Sequence, residues 1–512
     1  MKFFFKNGLL LAFLFIGCSR PDSSVNDVVA DKTSLPRATP ESQGIASATV
    51  IRLLDEIEKS EIEFHSIMIV RNGQVIAEGW WNPYQAEYKH TLYSLSKSFT
   101  STAVGFAVQE GLLTVEDPVI SFFPESVPPS MSDTLKRMSV EDLLTMTSGH
   151  ASMTMPGMFA EPDGNWPSAF LGQSLQYEPG TQFMYNTGAT YMLSAIVQQV
   201  SGMTLMEYLT PRLFEPLGIT QADWEVDPRG VNVGGFGLRV TTEDIAKFGL
   251  LYLQNGSYNG NQLLPSEWVS TATSKQSSGH PGEGDWSQGY GYQFWMCRPE
   301  NVYRGDGAFG QYCIVLPDQK MVIAITSESK DMAASMQVLW DHLLPGVEDE
   351  VLPENAELLK KMENQLAKLE LNYGEGATQS TAVQQLHLQT IVLDENEKGW
   401  QQMTFDFDKM TYTFTVKDQN LTYPFGYNQW KTTVNRDTIQ YASKVTSYIS
   451  SRAKWINDQQ LEINRRFVET CHGDHITLTV NEKGIDIRWK ESANLWTAGN
   501  EGIEVQLTGQ IK

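Results

Sequence analysis

Apolar positions along this chain switch between a spacing of three to four residues and a spacing of two, and the switches divide it into elements. "IASATVIRLLDEIEKS" has the helical spacing. "IEFHSIMIVRNGQVIAEGWW" follows as two strand-like runs around Asn72-Gly73, the pair that favours a tight hairpin. A helix is expected from near Ser94, apolar through "STAVGFAVQE" and stopping at Gly111. The middle is mostly helical. "SVEDLLTMTSG" and "TTEDIAKFGLLYLQNG" open like capping boxes, and "GATYMLSAIVQQVSGMTLMEYL" reads as one long helix.

From about Gly289 the period returns to two: "GYGYQFWMC", "GAFGQYCIVLP" and "KMVIAITSE" predict successive antiparallel strands, then the helix "MAASMQVLWDHLL". Strands at both ends of a segment with helices between them predict an α+β domain, an antiparallel sheet flanked by helices with an inserted helical block, over residues 39–345. Residues 346–379 read as a connecting segment with one short charged helix, "ENAELLKKMENQLAKLE". Alternating runs such as "MTFDFDKMTYTFTV" and "HITLTVNEKGIDIRWK" predict an all-β, barrel-like domain over 380–512.

Composition adds exclusions. At 512 residues the chain exceeds one ordinary core, and 41% hydrophobic residues with 13 Trp and 23 Phe argue for a globular protein. A net charge of -23 with no clustered basic face argues against a nucleic-acid partner. The N-terminus, "MKFFFKNGLLLAFLFIGCSRPDSS", has lysines, an apolar run too short to span a membrane, and a polar tail, as a secretory signal does. "FIGC" resembles a bacterial lipobox, so residues 1–18 are expected to be a lipoprotein signal peptide, with Cys18 lipidated and 19–38 a linker. A plain signal peptide cleaved nearby is the other reading. Both export the protein, and the first anchors it to the membrane of a bacterial cell envelope.

Of the four cysteines, Cys297, Cys313 and Cys471 remain, with no paired spacing, and are expected as buried thiols. The eight histidines include no HExxH pair, so no metal is expected.

A serine followed three residues later by a lysine occurs at Ser94/Lys97, Ser327/Lys330 and Ser451/Lys454. On a helix that spacing shares a face; on a strand it does not. Only Ser94/Lys97 is expected to be helical, with Lys97 buried by the apolar helix that follows. Neutrality at pH 7 then needs a shift of about three units, roughly 4 kcal/mol, which burial can supply. The competing serine-hydrolase signature G-x-S-x-G is absent.

"YSLSKSFTS", "LLTMTSGH", "YEPGTQFMYNTGATYMLSAI", "LFEPLGI" and "GDGAFGQYCIVLPD" together resemble the class C β-lactamase and penicillin-binding-protein-like serine hydrolases, over roughly 40–345 and in that family's order. That group includes esterases, D-aminopeptidases and amide hydrolases. The resemblance implies a β-lactamase/transpeptidase-like fold with Ser94 as nucleophile, Lys97 as its partner, and Tyr185 as the second-motif tyrosine. That motif is Tyr-x-Asn in the family. Here it reads Tyr-Asn-Thr, so Thr187 stands where asparagine is usual and Asn186 is the alternative contact. The family's Lys-Thr-Gly is replaced by "RGDGAFGQ", in which Asp306, Gly307 and Ala308 are expected to line the site, Ala308 or its neighbour offering an oxyanion N–H.

The implied chemistry is acyl transfer through a serine ester, with the base left open between Lys97 and Tyr185 and no cofactor. Because an acid replaces the third-motif lysine and would repel a carboxylate, a small neutral or cationic ester, amide or short peptide is expected over a penicillin. A D-Ala-D-Ala peptidase or β-lactamase is the enzymatic alternative, and a non-catalytic envelope sensor or binding module the alternative of another class.

Overall fold

The computed structural model describes residues 34–434, 447–482 and 484–512. The expected signal peptide, and Cys18 with it, lie outside these residues. The described residues form one compact unit.

Six strands build the central antiparallel sheet: β1 (Phe64–Arg71), β2 (Gln74–Trp80), β3 (Trp295–Met296), β4 (Tyr303–Gly307), β5 (Gln311–Leu316) and β6 (Met321–Ser327). Their order is β2-β1-β6-β5-β4-β3, so strands from the two ends of the segment meet at its centre. The register sets Ile67 opposite Ile325 and Ile69 opposite Ile323. Successive residues of a strand face opposite ways, and here both faces are apolar. Ile67, Ile69, Ile323 and Ile325 pack with Val50, Leu53 and Leu54 of α1 (Ser47–Lys59) on one side. Met68, Val70, Val322 and Ala324 join the larger core on the other, with Phe99 of α2 (Ser96–Gln109) and Phe248 of α4 (Thr242–Leu253). Helix α3 (Thr187–Ser201) packs beside α2.

Three expectations are corrected. The long helix through "QQVSGMTLM" is two, because Gly202 takes a left-handed φ of 70° that caps α3, and Thr204 opens a new capping box with Glu207. "GYGYQFWMC" supplies only the two-residue β3. The strand beside it, β4, comes instead from "YRGDG", whose arginine, aspartate and glycines hide the apolar alternation although all five residues are buried.

Among the described residues, eleven strands between Thr390 and Ile511 form the second large sheet. Gly484–Glu491 and Glu504–Ile511 alternate buried and exposed positions, the inner ones joining Phe405, Phe414 and Trp455 in a separate core. The sheet curls until Gln419–Pro424 meets Lys431–Val434 and Tyr448–Asn457, nearly closing a barrel. One of its turns is unusual. Val468–His472, between strands Gln460–Phe467 and Gly473–Asn481, is buried at every residue, because it inserts beside the first sheet. There Glu469 O accepts from Thr91 N at 3.0 Å and Thr470 O from the Tyr84 hydroxyl at 3.1 Å.

Candidate active site

Within Thr91–Thr100, Ser94 is the one residue that is not buried. It sits in a single 3-10 turn, Tyr93–Leu95, that feeds α2. Lys97 lies one helical turn on, only 1% exposed. Its Nζ is 3.0 Å from Ser94 Oγ, 3.2 Å from Thr187 Oγ1 and 2.7 Å from Gly235 O. A carbonyl can only accept, so Gly235 O takes one of the N–H groups. Burial pushes the Lys97 ammonium down to about 7, with the Asp306 carboxylate opposing. A neutral amine has two N–H groups and one lone pair. With Gly235 and Thr187 taking the former, the lone pair is left for the Ser94 proton.

Tyr185 precedes α3 and lies near enough to Ser94 for the serine hydroxyl to act on its phenol. Its ring lies 5.0 Å from Lys97 Nζ and stacks on Trp295 at 5.5 Å. Burial, and then the charge of Asp306, raise the Tyr185 phenol, so it stays protonated near neutrality. Asn186 is turned to another task. Its Oδ1 caps α3 through Gly188 N (3.1 Å) and accepts from Thr154 N and Oγ1 (3.1 and 2.9 Å), and the residue is fully buried. Thr187, the residue in the register of the family asparagine, is the one that reaches Lys97.

Strand β4 forms the other wall. A Cβ on Gly307 would fall 2.0 Å from Leu92 O, and one on Gly305 2.5 Å from Leu95 Cδ1. Glycine at both positions lets β4 close on the serine turn. Asp306 Oδ2 accepts from Arg304 Nε at 3.0 Å and Trp286 Nε1 at 2.9 Å. Arg304 is wholly buried, its guanidinium 4.8 Å from the Trp286 ring centre. The expected repulsion by a bare acid is therefore corrected: a buried cation balances Asp306. Ala308 is half-buried beside it, and Phe309 (φ 64°) and Gly310 (φ 90°) turn the chain into β5.

Gly235, Arg304 and the exposed His280, stacked 5.3 Å from Trp295 and 6.3 Å from Tyr185, join the site without having been singled out in the sequence. Arg304 was visible in principle, since two residues apart on a strand share a face. The other serine-lysine pairs are separated. Ser327 Oγ donates to Gly310 O while Lys330 pairs with Glu501, and Ser451 meets the Tyr412 hydroxyl while Lys454 pairs with Glu462. Cys297, Cys313 and Cys471 are buried thiols in no disulfide among the described residues. Among the described residues, Glu328, Cys471 and His472 bring ligand-type atoms within 4.8 Å of one another, as do His387, Asp406 and Asp408. In the first group Glu328 is already engaged by Arg466 and Ser492, which makes it a poor cation ligand.

The chain was compared with known proteins. Over 248 residues it is 26% identical to a 6-aminohexanoate-dimer hydrolase of Paenarthrobacter ureafaciens, covering 45% of this chain and 63% of that one. Over 178 residues it is 28% identical to a lovastatin esterase of Penicillium rubens, covering 30% and 43%. The chain thus spans less than two thirds of the length of either relative. The octameric penicillin-binding protein homologue from Pyrococcus abyssi superposes with a TM-score of 0.46 at 16% identity, covering 90% of this chain and 99% of that one. The family model described as Beta-lactamase matches residues 52–347, more than half of the sequence and the whole of the region that holds Ser94, Lys97, Tyr185 and β4. The chain belongs to the beta-lactamase family.

Proposed function

We propose that the protein is a serine hydrolase that cleaves a small ester, amide or short peptide through an acyl-serine intermediate. The observation that carries this is the desolvated Lys97 amine 3.0 Å from the one accessible side chain of its turn, Ser94 Oγ. Lys97 accepts the serine proton as Ser94 Oγ attacks the acyl carbon. Tyr185, protonated, supplies a proton to the leaving group and is restored through Lys97. Backbone N–H groups at Ser94 and Ala308 receive the oxyanion, each worth about 3 to 4 kcal/mol in such sites. Water then releases the acyl group.

A small acyl substrate is supported by the aromatic surface of Tyr185, Trp295 and His280, and by a β4 edge that offers Asp306, Gly307 and Ala308 where a lysine would hold a carboxylate. Relatives named as a 6-aminohexanoate-dimer hydrolase and as a lovastatin esterase fit such a range. The family's own name keeps a β-lactamase as the second reading, and the sequence resemblance keeps a D-Ala-D-Ala peptidase beside it. Export on a Cys18 lipid anchor belongs to the same proposal and is supported by the N-terminal sequence alone. Among the described residues no helix is long and apolar enough to cross a membrane.

The test is intact-mass spectrometry after incubation with a fluorophosphonate, a p-nitrophenyl ester and a penicillin, with Ser94→Ala as control. A Ser94-dependent fluorophosphonate adduct with ester turnover is expected. No Ser94-dependent adduct or turnover with any of the three sinks the proposal, and rapid penicillin acylation favours the second reading.

A further inference from the structure

The residue before the candidate nucleophile is held by the far end of the chain. Tyr93 has φ 47°, a left-handed backbone that costs a bulky residue about 1 to 3 kcal/mol and persists where its surroundings fix it. The Tyr93 hydroxyl bonds to His472 Nε2. His472 Nδ1 lies 3.3 Å from Glu328 Oε1, which also accepts from Ser492 Oγ at 2.6 Å, while Glu328 Oε2 pairs with Arg466. The charge of Arg466 keeps Glu328 ionised despite its burial. The carboxylate faces Nδ1 without hydrogen-bond geometry, and its charge favours the imidazole proton on that side, which leaves Nε2 to accept from the tyrosine. The Tyr93 ring also meets Phe309 at 5.8 Å and His472 at 5.9 Å, edge to face. Phe309 is the second strained residue of the site and stands next to Ala308. Tyr93, Phe309, Cys471 and Ala493 form one small apolar cluster with Ala308 packed against it. The two backbone segments assigned as oxyanion donors therefore rest on the same support.

We propose that His472, carried by the buried turn Val468–His472 and oriented by Glu328, is a positioning residue for hydrolysis: through Tyr93 it fixes the serine turn, and through Phe309 the facing end of β4. The C-terminal sheet is then a working part of the active site. This rests on Ser94 being the nucleophile, and the test separates the two ideas. His472→Ala, Tyr93→Phe and the double variant are compared with wild type by the rate of fluorophosphonate labelling at Ser94 and by kcat and KM for a p-nitrophenyl ester. Displacing a reacting group by a fraction of an ångström costs about 10- to 100-fold. Each single variant is expected to lose about that much in labelling rate and kcat with KM within about twofold. The double variant is expected to be no slower than the slower single, because both cut one link. His472→Gln, whose amide oxygen can still accept from Tyr93, is expected to regain most of the rate. Labelling at the wild-type rate in folded Tyr93→Phe overturns the proposal, as do losses that multiply in the double variant. If His472→Ala does not fold, Tyr93→Phe and His472→Gln decide alone. Absence of labelling in the wild type removes the nucleophile assignment, and this proposal with it.

Discussion

Two of the buried groups of charged side chains among the described residues are treated in opposite ways. Around Ser94 a lysine is taken out of water with no carboxylate in contact, only hydroxyls and a carbonyl, so it is pushed down to about 7. Where the C-terminal sheet meets the first, Arg466 is equally buried but lies against Glu63 and Glu328, and Glu328 is held down at about 2, against the cost of burial, chiefly by that arginine. Burial alone decides neither outcome. Glu63, sharing the same arginine, is nevertheless pushed up to about 7 by burial, so the counter-ion keeps Glu328 charged and joins the two sheets without holding both carboxylates down.

The sharpest way to break this comparison is Ser94→Ala, with an expected loss of ester turnover of at least about 10,000-fold. Lys97→Met is expected to abolish turnover comparably without lowering the melting temperature, since it removes a desolvated amine. A matching loss of stability would show that Lys97 is a structural residue like Arg466. Arg466→Met is expected to do the reverse. It strands two carboxylates and should cost about 3 to 5 kcal/mol in denaturant unfolding, with labelling of Ser94 surviving in whatever fraction stays folded. Tyr185→Phe should lower kcat about 100-fold or more if the phenol supplies a proton.

The two groups also differ in pH. On the proposed mechanism Lys97 acts as a neutral amine, so kcat/KM should rise through about pH 7 and level above it. Glu328 is lowered in the folded state, so its contribution to stability is complete above its unfolded value of 4.5 and is lost as pH falls from there toward about 2. Melting curves across that window, compared between wild type and Glu328→Gln, should converge at the acid end. The smallest effect is expected for Thr187→Asn, which restores the family residue beside Lys97 and should change kcat by less than about tenfold.

Legibility in the sequence followed the range of the interaction. The hairpin at Asn72-Gly73, the capping boxes at Ser139 and Thr241 and the i, i+3 pairing of Ser94 with Lys97 are local, and local pattern carries them. Tyr185 and Thr187 came from resemblance to a family motif rather than from periodicity. Strand β4 was hidden because Arg304 and Asp306 satisfy each other inside it, so a buried strand reads as polar. Gly235 could not be read, since it lies 138 residues from the lysine whose N–H its carbonyl accepts. The same distance problem hid His472, a residue of a barrel-like sheet to which the pattern assigned no chemistry.

Tyr93 and His472 are 379 positions apart. Contacts that close so much chain form late, because the entropy of loop closure must be met before they contribute. On a ribosome, Ser94 and Lys97 emerge while His472 is still untranslated, so the hydrolase half can collapse around its serine long before that serine is held. On the positioning role proposed for His472, a half-made chain acylates about 10- to 100-fold more slowly than a finished one, and full speed reports that synthesis has passed the hairpin of that residue.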